Sequence, residues 1–192
     1  MAERVPAGGA PSFLIVSMRY LGDVLLSTPL ALSIKEAIPG ASVDFLVHPG
    51  GDAILEKNPS IRAVRTLPPG SRSVTDFLGR FRRYDYAIGA NPSDRTAICA
   101  IGAGKTSVGF SYFSRKEWWK RRLYDACLPY DNRVHIVPLM LSLLDVFRIP
   151  PVPRVVMGFD EEDRRIAREN CIAGFAGIKI LHHRGRGILY SG

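Results

Sequence analysis

The stretch "FLIVSMRYLGDVLLSTPLALSIKEAIPGASVDFLVH", residues 13–48, decides the fold. It opens on FLIVS at 13–17, a short apolar run that reads as a buried strand. From 24 to 38 the apolar residues recur at helical spacing, and Pro39 and Gly40 close the segment. SVDFLVH at 42–48 is a second strand. Between strand and helix, Gly22 is expected to permit a tight turn and Asp23 to cap a helix beginning at Val24. The whole stretch is one strand–helix–strand unit.

Outward from this unit the pattern repeats. The spacing predicts a short helix near 51–57, a strand at 61–67 (IRAVRTL), a helix at 73–82, a strand at 84–90 (YDYAIGA), a helix at 93–103 and a strand at 106–110 (TSVGF). Strands alternating with helices in this way predict an α/β fold, a Rossmann-like parallel sheet with helices on both faces. After Phe110 comes a basic, aromatic segment, SYFSRKEWWKRRLYD at 111–125, then an apolar helix over 133–148. RIPPVPR at 148–154 reads as a linker, because each proline ring fixes the backbone and removes a donor. Beyond it, DEEDRRIAREN at 160–170 is a charged helix with acids first and bases later, matching the helix dipole, and IKIL at 178–181 is strand-like. The expected organisation is a disordered N-terminus at 1–11, one Rossmann-like domain at 12–149, and a linker with the start of a second domain at 150–192.

Lys and Arg outnumber Asp and Glu by 26 to 18, a net charge of +8, so phosphates, anionic headgroups or nucleic acid are the partners that charge favours. The basic residues lie on no recognisable reading helix or aromatic-faced sheet, which argues against nucleic acid. Cys99, Cys127 and Cys171 are odd in number and widely spaced, which fits buried thiols in a reducing compartment and neither a disulfide framework nor a zinc site. MAERVPAGGAPS at 1–12 has no apolar core of a signal peptide, and no later run reaches membrane-span length. A cytoplasmic protein is expected, peripheral on a membrane at most.

Four features bear on chemistry. CAIGAGKT at 99–106 looks like a phosphate-binding loop, but Cys99 stands where that motif needs glycine, and helix precedes strand; Gly104 reads instead as a helix end. Asp23 is either a helix cap or a carboxylate at the carboxyl edge of the first strand, where open parallel sheets bind ligands. Arg115, Lys116, Lys120, Arg121 and Arg122 read as an exposed charged helix with Trp118 and Trp119 packed beneath, or as a grip on phosphate groups. His48 and His135 stand singly in apolar surroundings and are expected to be packed and hydrogen-bonded. His182 and His183 lack partners at metal spacing, and no Asp-x-Asp pair occurs; no metal and no cofactor are expected.

The opening stretch, with KNPSIRAV, YDYAIGANPSDRTAICAIGAGKTSVGF and NRVHIVPLMLSLLDVFRI, resembles the N-terminal half of the family 9 glycosyltransferases, over about residues 12–172 in order. These are the lipopolysaccharide heptosyltransferases, and RYLGDVLLSTP is most similar to the type III, inner-core branch. The resemblance implies a GT-B architecture of two Rossmann-like domains, the first for the acceptor and the second for the nucleotide-activated heptose. It implies inverting, metal-independent transfer from an ADP-heptose-type donor to a lipid A–Kdo–heptose core acceptor. Asp23 matches the position of the catalytic base. Arg72 and Arg115 match acceptor-binding positions; charge and placement add Arg19, Arg95 and Lys116, and Gly22 and His135 fall near the cleft. A monomer in peripheral contact with anionic inner membrane is expected, and no nucleic acid. Where the family continues into a His-Pro-Gly turn and the donor domain, this sequence reads LHHRGRGILYSG, so the chain is expected to be truncated and inactive alone. The alternative is a non-catalytic acceptor-binding module or gene remnant.

Overall fold

The computed structural model describes residues 10–70 and 83–172. The segments expected as a helix at 73–82 and a strand at 178–181 lie outside them, as do Arg72, His182 and His183. By contact the chain falls into two units, which meet at Gly158 and Phe159.

The first unit is built on a parallel sheet that has six strands among the described residues: β1 (Ser12–Ser17), β2 (Ser42–Val47), β3 (Ala63–Thr66), β4 (Tyr84–Gly89), β5 (Gly104–Ser111) and β6 (Ala126–Pro129). Their spatial order is β3-β2-β1-β4-β5-β6, and every pair is parallel. This is the order of a Rossmann sheet, as the alternation of strands and helices predicts. Both faces are covered, so the strands read as continuous apolar runs. Phe13, Ile15, Phe45, Tyr86, Ile88 and Phe110 form the core on one face; Leu14, Val16, Leu46, Ala87 and Tyr124 form it on the other. β6 escaped the sequence reading because ACLP is too short to show a period.

The helix expected over 24–38 is two helices, α1 (Leu21–Leu26) and α2 (Thr28–Ala37), parted at Ser27. Pro29 explains the break. It has no N–H to give Leu25, and it sits in the first turn of α2, where none is needed. The hydroxyls of Ser27 and Thr28 donate instead to the carbonyls of Val24 (2.7 Å) and Leu25 (2.8 Å). The expected helix near 51–57 is a pair of turns anchored by Asp52, whose carbonyl accepts from Leu55 N and Glu56 N.

α3 (Asp94–Ala103) is capped by Ser93, which accepts from Thr96 N, and runs directly into β5 at Gly104. Gly104 does end the helix, yet its backbone is extended (φ −92°). Glycine is needed there for space, since a Cβ would lie 2.7 Å from that of Ala87 on β4. A short 3-10 turn (Arg115–Glu117) leads into α4 (Trp118–Leu123). The helix expected over 133–148 is α5 (Ile136–Leu141), which tightens to 3-10 geometry over Ser142–Phe147 where Ser142 Oγ donates back to Leu139 O (2.7 Å).

The proline-rich segment after Ile149 is an extended strap on α2. Val152 N donates to Ser33 Oγ (2.9 Å) and Val156 N to Thr28 Oγ1 (3.1 Å), while Asn58 Nδ2 donates to Val156 O (2.8 Å). In the second unit, α6 (Glu161–Ile172) has acids in its first turn, as expected, but no base in its last. Asp160 and Asp163 close a reciprocal cap, each accepting the other's backbone N–H (2.8 and 3.0 Å).

Candidate active site

In this strand order the crossovers reverse direction between β1 and β4, and open parallel sheets bind ligands at the carboxyl ends of the strands at such a point. β1 leaves the sheet through Met18, Arg19 and Tyr20 and turns into α1 at Leu21. Asp23 is therefore the third residue of the helix and not its cap; the capping position belongs to Tyr20, which makes no side-chain cap. The Asp23 side chain is half-buried, and no hydrogen bond or ion pair holds its carboxylate among the described residues. Gly22 lies inside the helix, so the turn does not depend on it; a Cβ there would meet nothing within 4 Å.

The ends of β5 and β6 bring together a group of aromatic rings. Tyr130 packs edge-on against Phe110 (5.5 Å between centroids) and Tyr112 (5.2 Å). Burial raises the pKa of the Tyr130 phenol, and the Tyr112 phenol and Asp23 carboxylate add to this, while the positive charge of Arg19 pulls the other way. The Arg19 guanidinium lies over the exposed ring of Tyr20, 5.7 Å from its centroid. An open cleft of about 510 Å³ extends from Arg19 and Tyr20 to His48, Pro49 and Gly51 after β2. Asp23 is not in its wall.

The basic segment reverses one expectation. Lys120 is the buried residue, at 0% exposure, whereas Trp118 is 62% exposed and Trp119 only partly buried against the core. The Lys120 ammonium pairs with Asp94 (2.7 Å) and Glu117 (2.5 Å) and donates to the carbonyl of Pro92. Burial works against its charge, but the two carboxylates outweigh it and raise its pKa. Arg115, Lys116, Arg121 and Arg122 are exposed, with Arg121 over the Phe113 ring at 5.2 Å.

Two other expected site residues have structural partners. Arg95 donates to the carbonyls of Leu67 and Pro68, tying α3 to the loop after β3. His135 is exposed, not packed in apolar surroundings, and caps α5 by accepting from Val137 N (3.3 Å). His48 is half-buried at the cleft. Cys99 is buried and Cys127 half-buried, and burial pushes each thiol up to about 11. Among the described residues no group of His, Cys, Asp and Glu has the geometry to hold a metal, and no helix is long and apolar enough to cross a membrane. Sequence reasoning missed Tyr112, Tyr130 and Glu117. Tyr130 follows a strand that had not been read; the three-residue spacing of Glu117 and Lys120 was a visible signal for their pairing.

No family model matches the chain. Two curated proteins named lipopolysaccharide heptosyltransferase 3 are similar to it. One, from Escherichia coli strain K12, is 26% identical and matched over 67% of this chain and 40% of its own length. The other, from Escherichia coli, is 31% identical, over 66% of this chain and 40% of its own. The chain therefore spans less than half the length of these relatives. Among solved structures, the glycosyl transferase family 9 protein from Veillonella parvula DSM 2008 superposes with a TM-score of 0.70 at 18% identity, covering 86% of this chain and 49% of that one. The E. coli heptosyltransferase WaaC with ADP-2-deoxy-2-fluoro heptose gives 0.60 at 20% identity, over 73% of this chain and 50% of that one. In sequence the chain is similar to lipopolysaccharide heptosyltransferases, and it shares its fold with about half the length of these solved glycosyltransferase structures.

Proposed function

We propose that the first unit is the acceptor-binding half of an inverting heptosyltransferase of lipopolysaccharide core synthesis, with Asp23 as its general base. The observation that carries this reading is the half-buried Asp23 carboxylate, free of protein partners among the described residues, at the carboxyl edge of β1. A carboxylate that only stabilised the fold would be held by donors; this one is available to an incoming hydroxyl. The acceptor hydroxyl attacks the anomeric carbon of the donor, the bond to the diphosphate oxygen breaks, and the nucleotide leaves with the bonding electrons. Asp23 takes the hydroxyl proton as the new bond forms. Gly22 leaves the approach to that carboxylate bare.

Arg19, Arg115 and Lys116 bind the phosphates and sugar carboxylates of a lipid A–Kdo–heptose acceptor. Exposed Tyr112, Phe113 and Trp118, interleaved with Arg121 and Arg122, meet the headgroups of an anionic membrane that carries it. Similarity to a heptosyltransferase solved with an ADP-heptose analogue supports an ADP-heptose-type donor. Transfer is metal-independent, and the donor is held by a second domain, without which this unit binds acceptor and does not turn over.

The test is Asp23→Asn in a transfer assay that supplies a donor-binding domain. Transfer falls about 10²- to 10⁴-fold, the range of a lost general base, with core-oligosaccharide binding unchanged. Wild-type rates in the variant would sink the assignment of Asp23, and turnover by the first unit alone would sink the division of labour.

A further inference from the structure

The buried Lys120 takes no part in the chemistry proposed above, and stability alone does not account for it. Withdrawing an ammonium from water is expensive, and an apolar residue of similar volume commonly serves a core as well or better. What an apolar residue cannot do is bind acceptors on two loops at once. Lys120 Nζ reaches Asp94 at the start of α3 and the Pro92 carbonyl before it, both after β4; it also reaches Glu117, in the turn after β5.

Glu117 passes the restraint on. Its other oxygen accepts from Tyr112 N (2.6 Å) and Ser111 Oγ (3.1 Å), so the whole loop leaving β5 is fixed to the same ammonium. That loop needs fixing. The Arg115–Glu117 turn buries none of its residues. Phe113, beside it, has φ +54°, a left-handed backbone that a bulky side chain keeps only where its surroundings impose it.

We propose that Lys120 is a positioning residue: by locking the loop after β4 to the turn after β5, it sets where Arg115 and Lys116 present their charges to a phosphorylated acceptor. This rests on reading Arg115 and Lys116 as acceptor contacts. Glu117 is the link in the relay, one position from Lys116 and two from Arg115 in sequence.

The experiment is calorimetric binding of a phosphorylated core oligosaccharide and of the same oligosaccharide freed of phosphate, to the full chain. Wild type prefers the phosphorylated form. Lys120→Met with Glu117→Gln leaves no buried uncompensated charge. It lowers that preference about tenfold, the size of one lost charge-assisted contact, while binding the phosphate-free sugar as wild type does. A general loss of structure would weaken both ligands alike, so the ratio is what separates positioning from support. Should the double variant fail to fold, Glu117→Gln alone carries the test, because it leaves Lys120 paired with Asp94 and must reduce the preference by a similar factor. If these variants keep the wild-type ratio while Arg115→Ala loses it, the positioning role falls and the acceptor reading stands. If wild type shows no preference, or Arg115→Ala and Lys116→Ala leave it unchanged, both fall together.

Discussion

The two ends of the sheet use the same kinds of side chain in opposite ways. Towards the amino ends of the strands, Asp85 accepts from Ser12 N (2.9 Å), Ser12 Oγ (2.7 Å) and Lys105 Nζ (2.8 Å). Inside the sheet, fully buried Asp44 accepts both Arg62 Nε (2.9 Å) and Nη2 (2.8 Å) and the Tyr84 hydroxyl (2.8 Å). At the carboxyl ends, by contrast, Asp23 has no hydrogen-bonding partner among the described residues, and Tyr20, Tyr112 and Trp118 are more than half exposed. A carboxylate saturated with donors holds the fold together and has nothing left to offer a ligand. The difference supports the proposal that the carboxyl ends of the strands form the binding side.

The contrast breaks most visibly at Asp44. Asp44→Ala strands the Tyr84 hydroxyl and removes both partners of the Arg62 fork, and should lower stability by about 3 kcal/mol. The urea midpoint reads this, and oligosaccharide affinity measured on the remaining folded protein should not move. A smaller effect of opposite sign is expected at Gly22→Ala. The position is helical and open, so alanine should add about 0.5–1 kcal/mol. If that stabilised variant binds the acceptor less well, the bare backbone beside Asp23 serves the ligand; unchanged binding would show that the carboxyl end tolerates a methyl there.

The smallest effect concerns pH. Lys105 first, then the Ser12 amide and hydroxyl, hold the Asp85 carboxyl down at about 2. Its folded pKa lies below the ordinary value near 4, so its contribution is present above about pH 4 and disappears as the pH falls towards 2. Asp85 is partly exposed, which keeps the contribution modest. The stability gap between wild type and Asp85→Asn should be open at pH 6 and closed near pH 2; a gap independent of pH would contradict the assignment.

Much of this architecture is legible in the sequence, because buried parallel strands write continuous apolar runs, as β1, β2 and β4 do. The helix break at Ser27 is legible too, in Pro29, once the missing N–H is weighed against the periodic pattern. The Asp23 position is legible from the end of the apolar run at 13–17, although its place within the helix is not. Other features had no local signal. In a helix as short as α4, periodicity cannot say which side faces inward, so the burial of Lys120 depends on Asp94, 26 positions away in sequence, arriving on a neighbouring loop. Likewise Tyr130 meets Phe110 only through the order of the strands, which no single window of residues contains.

The strap after Ile149 has a mechanical consequence. Its backbone is sewn to Thr28 and Ser33 on α2, which follows the short helix that bears Asp23 across the break at Ser27. A pull on the chain at Met157 is therefore loaded first onto α2 and onto Asn58, which holds the Val156 carbonyl, rather than onto an edge strand. Tension applied there by an optical trap should break the bonds to Thr28, Ser33 and Asn58 before any strand of the sheet is peeled away.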